Sequence, residues 1–219
     1  DWFVKAVQRK NVSLSVRGNL TYNLNRVTSV TQDDALGNTV GSGLTASANV
    51  YGFSAGSLCG YESDDSGCPL DRNNDGTLND YDKVVLASAQ PKIFGSLGAT
   101  LGLYGVTADI CFDASAGNHI LNLNRMAADK VSYVTGKYIE KGDFIRLSNV
   151  SLSYRLPFKI PFIKSITLRL TGRNLLIFTG YSGENPDVDC YGMSMLSRGM
   201  DYGSYQMART FIVGLNVKF

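Results

Sequence analysis

Histidine is almost missing: His119 is the only one in 219 residues, so neither a Ser-His-Asp set nor a histidine-based zinc site has material to be built from. It stands between Asn118 and Ile120 and reads as a plain loop residue. Strong charge bias is missing too. A formal net charge of +2 with 18% charged residues falls far short of a phosphate-binding surface, and no nucleic acid partner is expected. No apolar run reaches the roughly eighteen residues of a transmembrane helix. The opening Asp1-Trp2-Phe3-Val4-Lys5 lacks an initiator Met, an apolar core and a cleavage site. Either a leader has been removed or the chain starts inside a longer protein. Cysteine is sparse: Cys59, Cys68, Cys111 and Cys190. Cys59 and Cys68 flank a polar segment suited to a loop-closing disulfide in an oxidising compartment, with two unpaired thiols as the alternative. Paired carboxylates (Asp64-Asp65, Asp187 and Asp189) sit in polar stretches and read as solvated surface, so no enzyme is expected.

What the sequence has is alternation. Apolar residues make up 44%, yet mean hydropathy is −0.05, which requires interleaving. Val12, Leu14, Val16, Leu20, Tyr22 and Leu24 share one face, against Ser13, Ser15, Arg17, Asn19, Thr21 and Asn23. The same period of two runs through 97–103, 106–113, 150–156, 166–173 and 211–219. A weaker stretch at 44–53 brings the count to about seven strands. The strands are long, and the connections alternate in length. Leu103 to Val106 allows only a tight turn and Leu156 to Lys164 a short one, while polar loops occupy 54–92, 114–143 and 175–207. Long strands, with short turns on one side and long loops on the other, predict an all-β antiparallel transmembrane barrel wall; the link at 26–43 fits this less well. Arg17, Asp109, Asp113, Arg155, Arg169, Arg173 and Lys218 are then expected to face a watery lumen. Seven strands cannot close a barrel, and open edges are not stable in lipid, so further strands must join them.

Asp71 to Asp82 matches a calcium-loop template. Oxygen-bearing Asp71, Asn73 and Asp75 stand at alternate places, Gly76 allows the sharp turn, Thr77 offers its carbonyl, and Asp82 closes the loop. The flanks are not the helices of an EF-hand pair. The expectation is a structural Ca2+ staple, with an ion-free Asx-rich turn as the alternative.

On these residues the chain resembles the SusC/RagA-type TonB-linked outer-membrane receptors. Asp71 to Asp82 is similar to their D-x-N-x-D-G-x-I/L loop. Gly142 to Pro157 resembles "S-F-x-R-L-K-N-x-T-L-x-Y-x-L-P". Gly172 to Gly183 resembles "G-x-N-L-F-x-x-T-x-Y-x-G", followed by Asn185-Pro186-Asp187 where the family has D-P-E. Arg209-Thr210-Phe211 and terminal Phe219 look like the closing strand. Gln206 and Ala87 depart from the usual Pro and Gly. The resemblance implies the C-terminal part of a twenty-two-stranded barrel without the plug or the TonB-contacting segment. It further implies import of glycans or peptides, and partners in a SusD-like surface lipoprotein, the TonB complex, the rest of the barrel and membrane lipid.

Substrate or lid contacts are expected from the aromatic and charged 181–205 stretch, through Tyr181, Asp187, Tyr191, Arg198 and Tyr202; packing against neighbouring loops is the alternative. The competing function is a soluble or surface all-β module that uses calcium to order a ligand loop.

Overall fold

A strand that meets lipid on one face and water on the other must keep a period of two except where a bulge resets it, and seven segments follow that rule. The computed structural model describes residues 1–30, 38–40, 44–64, 66–157, 161–189 and 198–219. Its main sheet takes the order β1 (Trp2–Arg9), β2 (Val12–Tyr22), β7 (Ile93–Leu103), β8 (Val106–Ala116), β11 (Phe144–Leu156), β12 (Ser165–Thr179) and β14 (Thr210–Lys218). Every neighbouring pair is antiparallel. At 8 to 15 residues these strands suit a tilted bilayer crossing.

Register puts the apolar residues on one side. Leu14 pairs with Leu101, Ala99 with Ile110, Leu152 with Leu170, and Leu170 with Val213. Directly paired residues share a face, so the neighbouring positions share the other. There Arg17 pairs with Gly98, Thr100 with Asp109, Arg146 with Asp113, and Asn149 with Arg173. The polar residues expected in the lumen thus gather on one face of the sheet. Bulges interrupt β1 between Lys5 and Val7, and β11 between Leu147 and Asn149.

The sheet has one tight rim and one elaborate rim. Residues 10–11 and 104–105 make short turns, and 157 and 161–164 stand at the same rim between β11 and β12. Tyr104 and Gly105 both have positive φ, 46° and 89°, as a two-residue primed hairpin turn demands. At the opposite rim the described residues within 23–92, 117–143 and 180–209 fold into a cap with its own secondary structure. Here β3 (Asn38–Val40), β4 (Leu44–Ala48), β5 (Ser57–Tyr61) and β6 (Lys83–Ala87) form a small antiparallel sheet. A second sheet holds β9 (His119–Asn122) between β10 (Ile139–Lys141) and β13 (Met200–Asp201), the last parallel to β9. The short helix α1 (Leu123–Ala128) follows β9 directly, with the Asn122 side chain accepting from the Arg125 N–H at 2.9 Å. The largest buried cluster lies here: Ala46, Leu58, Ala89, Leu121, Leu123, Met126, Val134, Tyr138 and Met200.

Two expectations change. The seventh wall strand is β1 at Trp2–Arg9, whereas 44–53 supplies β4 to the cap. The bulge at Lys5/Val7 shifts the alternation of β1 by one residue and hides it. The awkward link at 26–43 is then no turn between wall strands; it belongs to the single excursion from β2 to β7.

Candidate functional site

Where the polar face of the sheet meets the cap, an open cleft of about 710 Å³ is lined by Asn19, Phe94, Asp113 and Arg146 of the wall and by Gln90 and Arg198 of the cap, among others. Arg146 is its centre. Its side chain is only 13% exposed and reaches Asp113 on β8 at 3.7 Å and Asp187 at 3.6 Å. Its guanidinium lies 5.3 Å from the Phe144 ring centroid, within cation–π range. Arg198 approaches Asp187 from the other side at 4.0 Å. These charges form a chain from wall to cap with both signs represented. Gln90 is 9% exposed, and its Nε2 is buried without a hydrogen-bond partner. Phe94 adds an apolar surface, 40% exposed.

Lower on the same face lies a second network. Arg17 forks onto Asp109 with Nη1 and Nη2 at 2.8 and 3.1 Å. Thr100 donates to Asp109 at 2.7 Å and Asn149 at 3.3 Å. Four strands, β2, β7, β8 and β11, are thereby cross-linked through one carboxylate. Planar two-pronged pairing fixes geometry as well as charge.

The residues expected to contact substrate or lid separate into three groups. Asp187 and Arg198 sit at the cleft. Tyr202, 56% exposed, lines a shallower hollow with Asn185, Asp187 and Tyr205. Tyr181 is a correction. It is 5% exposed, packs with Ile120 and Val188, and donates its hydroxyl to Asp201 at 2.7 Å. Asp201 is itself wholly buried, and burial together with that carboxylate pushes the phenol's pKa far up. Tyr181 therefore holds the cap together and does not face the lumen. Tyr191 lies outside the described residues. Arg146 carries more of the geometry than any of these, and it went unremarked because it stands inside a strand motif. A cation next to Phe144 on the polar register of β11 was the available signal.

The calcium-type loop is ordered by its own hydrogen bonds. Gly76 has φ +82° and donates to Asp71 Oδ2 at 2.7 Å. Asp75 Oδ1 accepts from the Thr77 hydroxyl at 2.7 Å and the Thr77 N–H at 2.8 Å, which holds its carboxyl below the usual range. Asp82 is wholly buried. Its oxygens accept the N–H groups of Arg72, Asn73 and Asn79 at 3.0, 3.2 and 2.9 Å, so it closes the loop by tying both ends of the backbone. Asp71 Oδ1 is buried with no partner. Among the described residues no three His, Cys, Asp or Glu side chains converge as a metal-holding group. A cation here would have to draw the carboxylates closer. The donor types suit Ca2+, and Asp71 Oδ1 has a lone pair to give.

The disulfide expectation is also corrected: Cys59 and Cys68 are both free. Cys59 is buried in β5 with its thiol turned to the Ser57 carbonyl at 3.5 Å, and burial pushes that thiol's pKa up. Cys68 is exposed in the turn held by Asp64. His119 starts β9 and is partly buried, with Nδ1 unpartnered.

No known protein-family model matches the chain. Among curated proteins it is 28% identical to TonB-dependent receptor P3 of Formosa agariphila, over 68% of this chain and 18% of the relative. It is 22% identical to TonB-dependent receptor SusC of Bacteroides thetaiotaomicron, over 98% of this chain and 25% of the relative. Solved structures of the RagAB peptide transporter, and of the RagAB peptide importer in its closed-closed state, superpose with TM-scores of 0.71 and 0.72. Both are 17% identical and cover 99% of this chain and 28% of theirs. The chain is a barrel segment of a SusC/RagA-type TonB-dependent receptor. It spans about a quarter or less of the relatives it matches. Such receptors are outer-membrane β-barrels, so the apolar face of the segment's sheet meets lipid and its tight turns face the periplasm.

Proposed function

We propose that this segment supplies wall, lumen lining and surface loops to a TonB-dependent importer of glycans or peptides that works with a SusD-like lipoprotein lid. The observation that carries the reading is the Arg146 cleft. It lies on the lumenal face directly beneath a packed cap, and it offers charges of both signs and the Phe94 ring. A cargo rich in carbonyls and hydroxyls satisfies such a surface better than an apolar one. The segment contributes no chemistry of its own to the cargo. Its role is to recognise and hold until the plug yields. Uptake of labelled oligosaccharide and oligopeptide pools by cells with the intact receptor, cells lacking it and TonB-deficient cells tests the reading. Uptake that is lost in both deficient strains supports it, and uptake indifferent to both overturns it.

The Asp71–Asp82 loop is proposed as a Ca2+ staple, with Asp71, Asn73, Asp75 and Thr77 as ligands and Asp82 closing the loop. The buried, unpartnered Asp71 Oδ1 favours it. A bound ion would shield the loop against proteolysis, and EGTA would remove the shield. Equal cleavage with and without EGTA would leave the loop as a self-satisfied turn.

A further inference from the structure

Charge is distributed along the membrane normal with a sharp asymmetry. Apart from Asp1, Asp109 and Asp113, every Asp and Glu of the chain lies in the segments that leave the long-loop rim. At the tight-turn rim there is none within three residues of any turn, while Arg9, Lys10, Arg155, Lys164 and Lys218 all stand there, exposed. None of these cations makes an ion pair with a described residue.

The backbone lines them up. The Tyr104 N–H donates to the Asn11 carbonyl at 3.0 Å, the Arg155 N–H to Gly105 at 2.9 Å, and the Lys164 N–H to Lys218 at 2.7 Å. Successive turns are thus stitched into a continuous edge. Arg9 pairs with Val12 and so lies on the lipid side of the register, next to the Lys10 turn. Arg155 and Lys218, by their pairing, belong to the lumenal side. Aromatic residues mark the same level: Tyr104 is 76% exposed, Phe162 93% and Phe219 77%. Such rings settle at headgroup depth, and long cationic side chains beside them reach the phosphates.

We propose that the tight-turn rim is a binding surface for the phosphates of anionic phospholipids in the periplasmic leaflet, with Arg9, Lys10 and Lys164 as the contacts. Charge complementarity selects the occupant. An unpaired row of cations at headgroup depth attracts an anionic lipid over a zwitterionic one, and no Asp or Glu side chain stands within three residues of the turns to neutralise it. The contact anchors the rim at a fixed depth and opposes its sliding into the bilayer.

The test uses the full-length receptor in nanodiscs of mixed phosphatidylglycerol and phosphatidylcholine, with the lipid shell counted by mass spectrometry after extraction from the disc. Phosphatidylglycerol should be enriched by roughly fivefold or more, and the enrichment should fall toward unity in the Lys10→Glu/Lys164→Glu variant. Lys92→Glu, at the other rim, should leave it unchanged. Raising salt toward about 1 M should erase the preference in the unmodified receptor, so the proposal remains testable if the double variant does not assemble. Equal retention of both lipids by the unmodified receptor would overturn it. So would displacement of phosphatidylglycerol by inorganic phosphate at matched concentration, which would mark a site for the free ion.

Discussion

The wall and the cap of this segment are held by opposite means. Wall strands bury little of their own surface: Leu97, Leu152 and Leu170 are 49%, 47% and 46% exposed, and lipid supplies what a core supplies elsewhere. The cap holds the buried core. All five residues of β5 are buried, and Leu121 and Met200 are fully enclosed. The wall needs a solvent of the right polarity on each face; the cap needs close packing. One chain satisfies both because each departure from the wall is long enough to build a small core before returning.

That contrast is broken most severely by a cavity in the cap. Leu121→Ala empties a fully buried site and should cost about 2–5 kcal/mol. Hydrogen exchange on the full receptor should then show protection lost across 118–139 and kept in the wall strands. The matching assault on the wall is Leu170→Arg, on the lipid face near mid-strand, with an expected cost of about 2–4 kcal/mol. Thr171→Arg, one residue on and facing the lumen, should assemble normally. Equal damage from these two, read by heat-modifiability on gels, would undo the assignment of faces.

The same contrast explains what the sequence disclosed. Wall strands were legible because each side chain meets one of two environments, and a period of two records that directly. Long β8 and β14 were visible for this reason, and β1 was not, because its bulge moves the pattern by one. Cap strands are short and surrounded on several sides, so β5 reads Ser-Leu-Cys-Gly-Tyr with no alternation to find. The stretch 44–53 was mistaken for wall because a few small apolar residues imitate a weak strand in either setting. At the site, Asp187 and Arg198 were legible as charges in a polar segment. Tyr181 was misread since an aromatic amid Gly, Ser and Asn normally stays exposed; its burial depends on Asp201, twenty residues on, which no local pattern reports.

Tyr181→Phe sharpens that last point. It removes the hydrogen bond that Asp201 Oδ2 accepts and leaves a buried carboxylate oxygen bare. Asp201 Oδ1 keeps Asn124 at 3.0 Å and the Ser204 N–H at 3.3 Å, so the loss should sit near the low end of about 1–3 kcal/mol. Local exchange in β13 and the 181–189 stretch should rise while α1 stays protected. A variant indistinguishable from the unmodified receptor would mean that the hydroxyl is a passenger.

The smallest effect expected is one of pH, and it too separates cap from wall. Burial alone would raise the Glu140 pKa. The Ser182 N–H at 2.9 Å and hydroxyl at 2.8 Å, with Asn122 at 3.3 Å and Arg125 at 3.2 Å, outweigh it and hold the carboxyl below its ordinary 4.5. A folded-state pKa below the unfolded one means that the unfolded chain binds the proton more readily. The stabilisation is therefore present above about pH 4.5 and fades as pH falls through the lower folded value. Because the carboxylate joins β10 to the start of the 182–189 stretch, acid should loosen that junction first. Protease cutting near Ser182 should increase on acidification in the unmodified receptor, and the increase should vanish in Glu140→Gln, which has nothing to titrate there. Acid-dependent cutting that survives the substitution would assign the effect to another carboxylate in the cap.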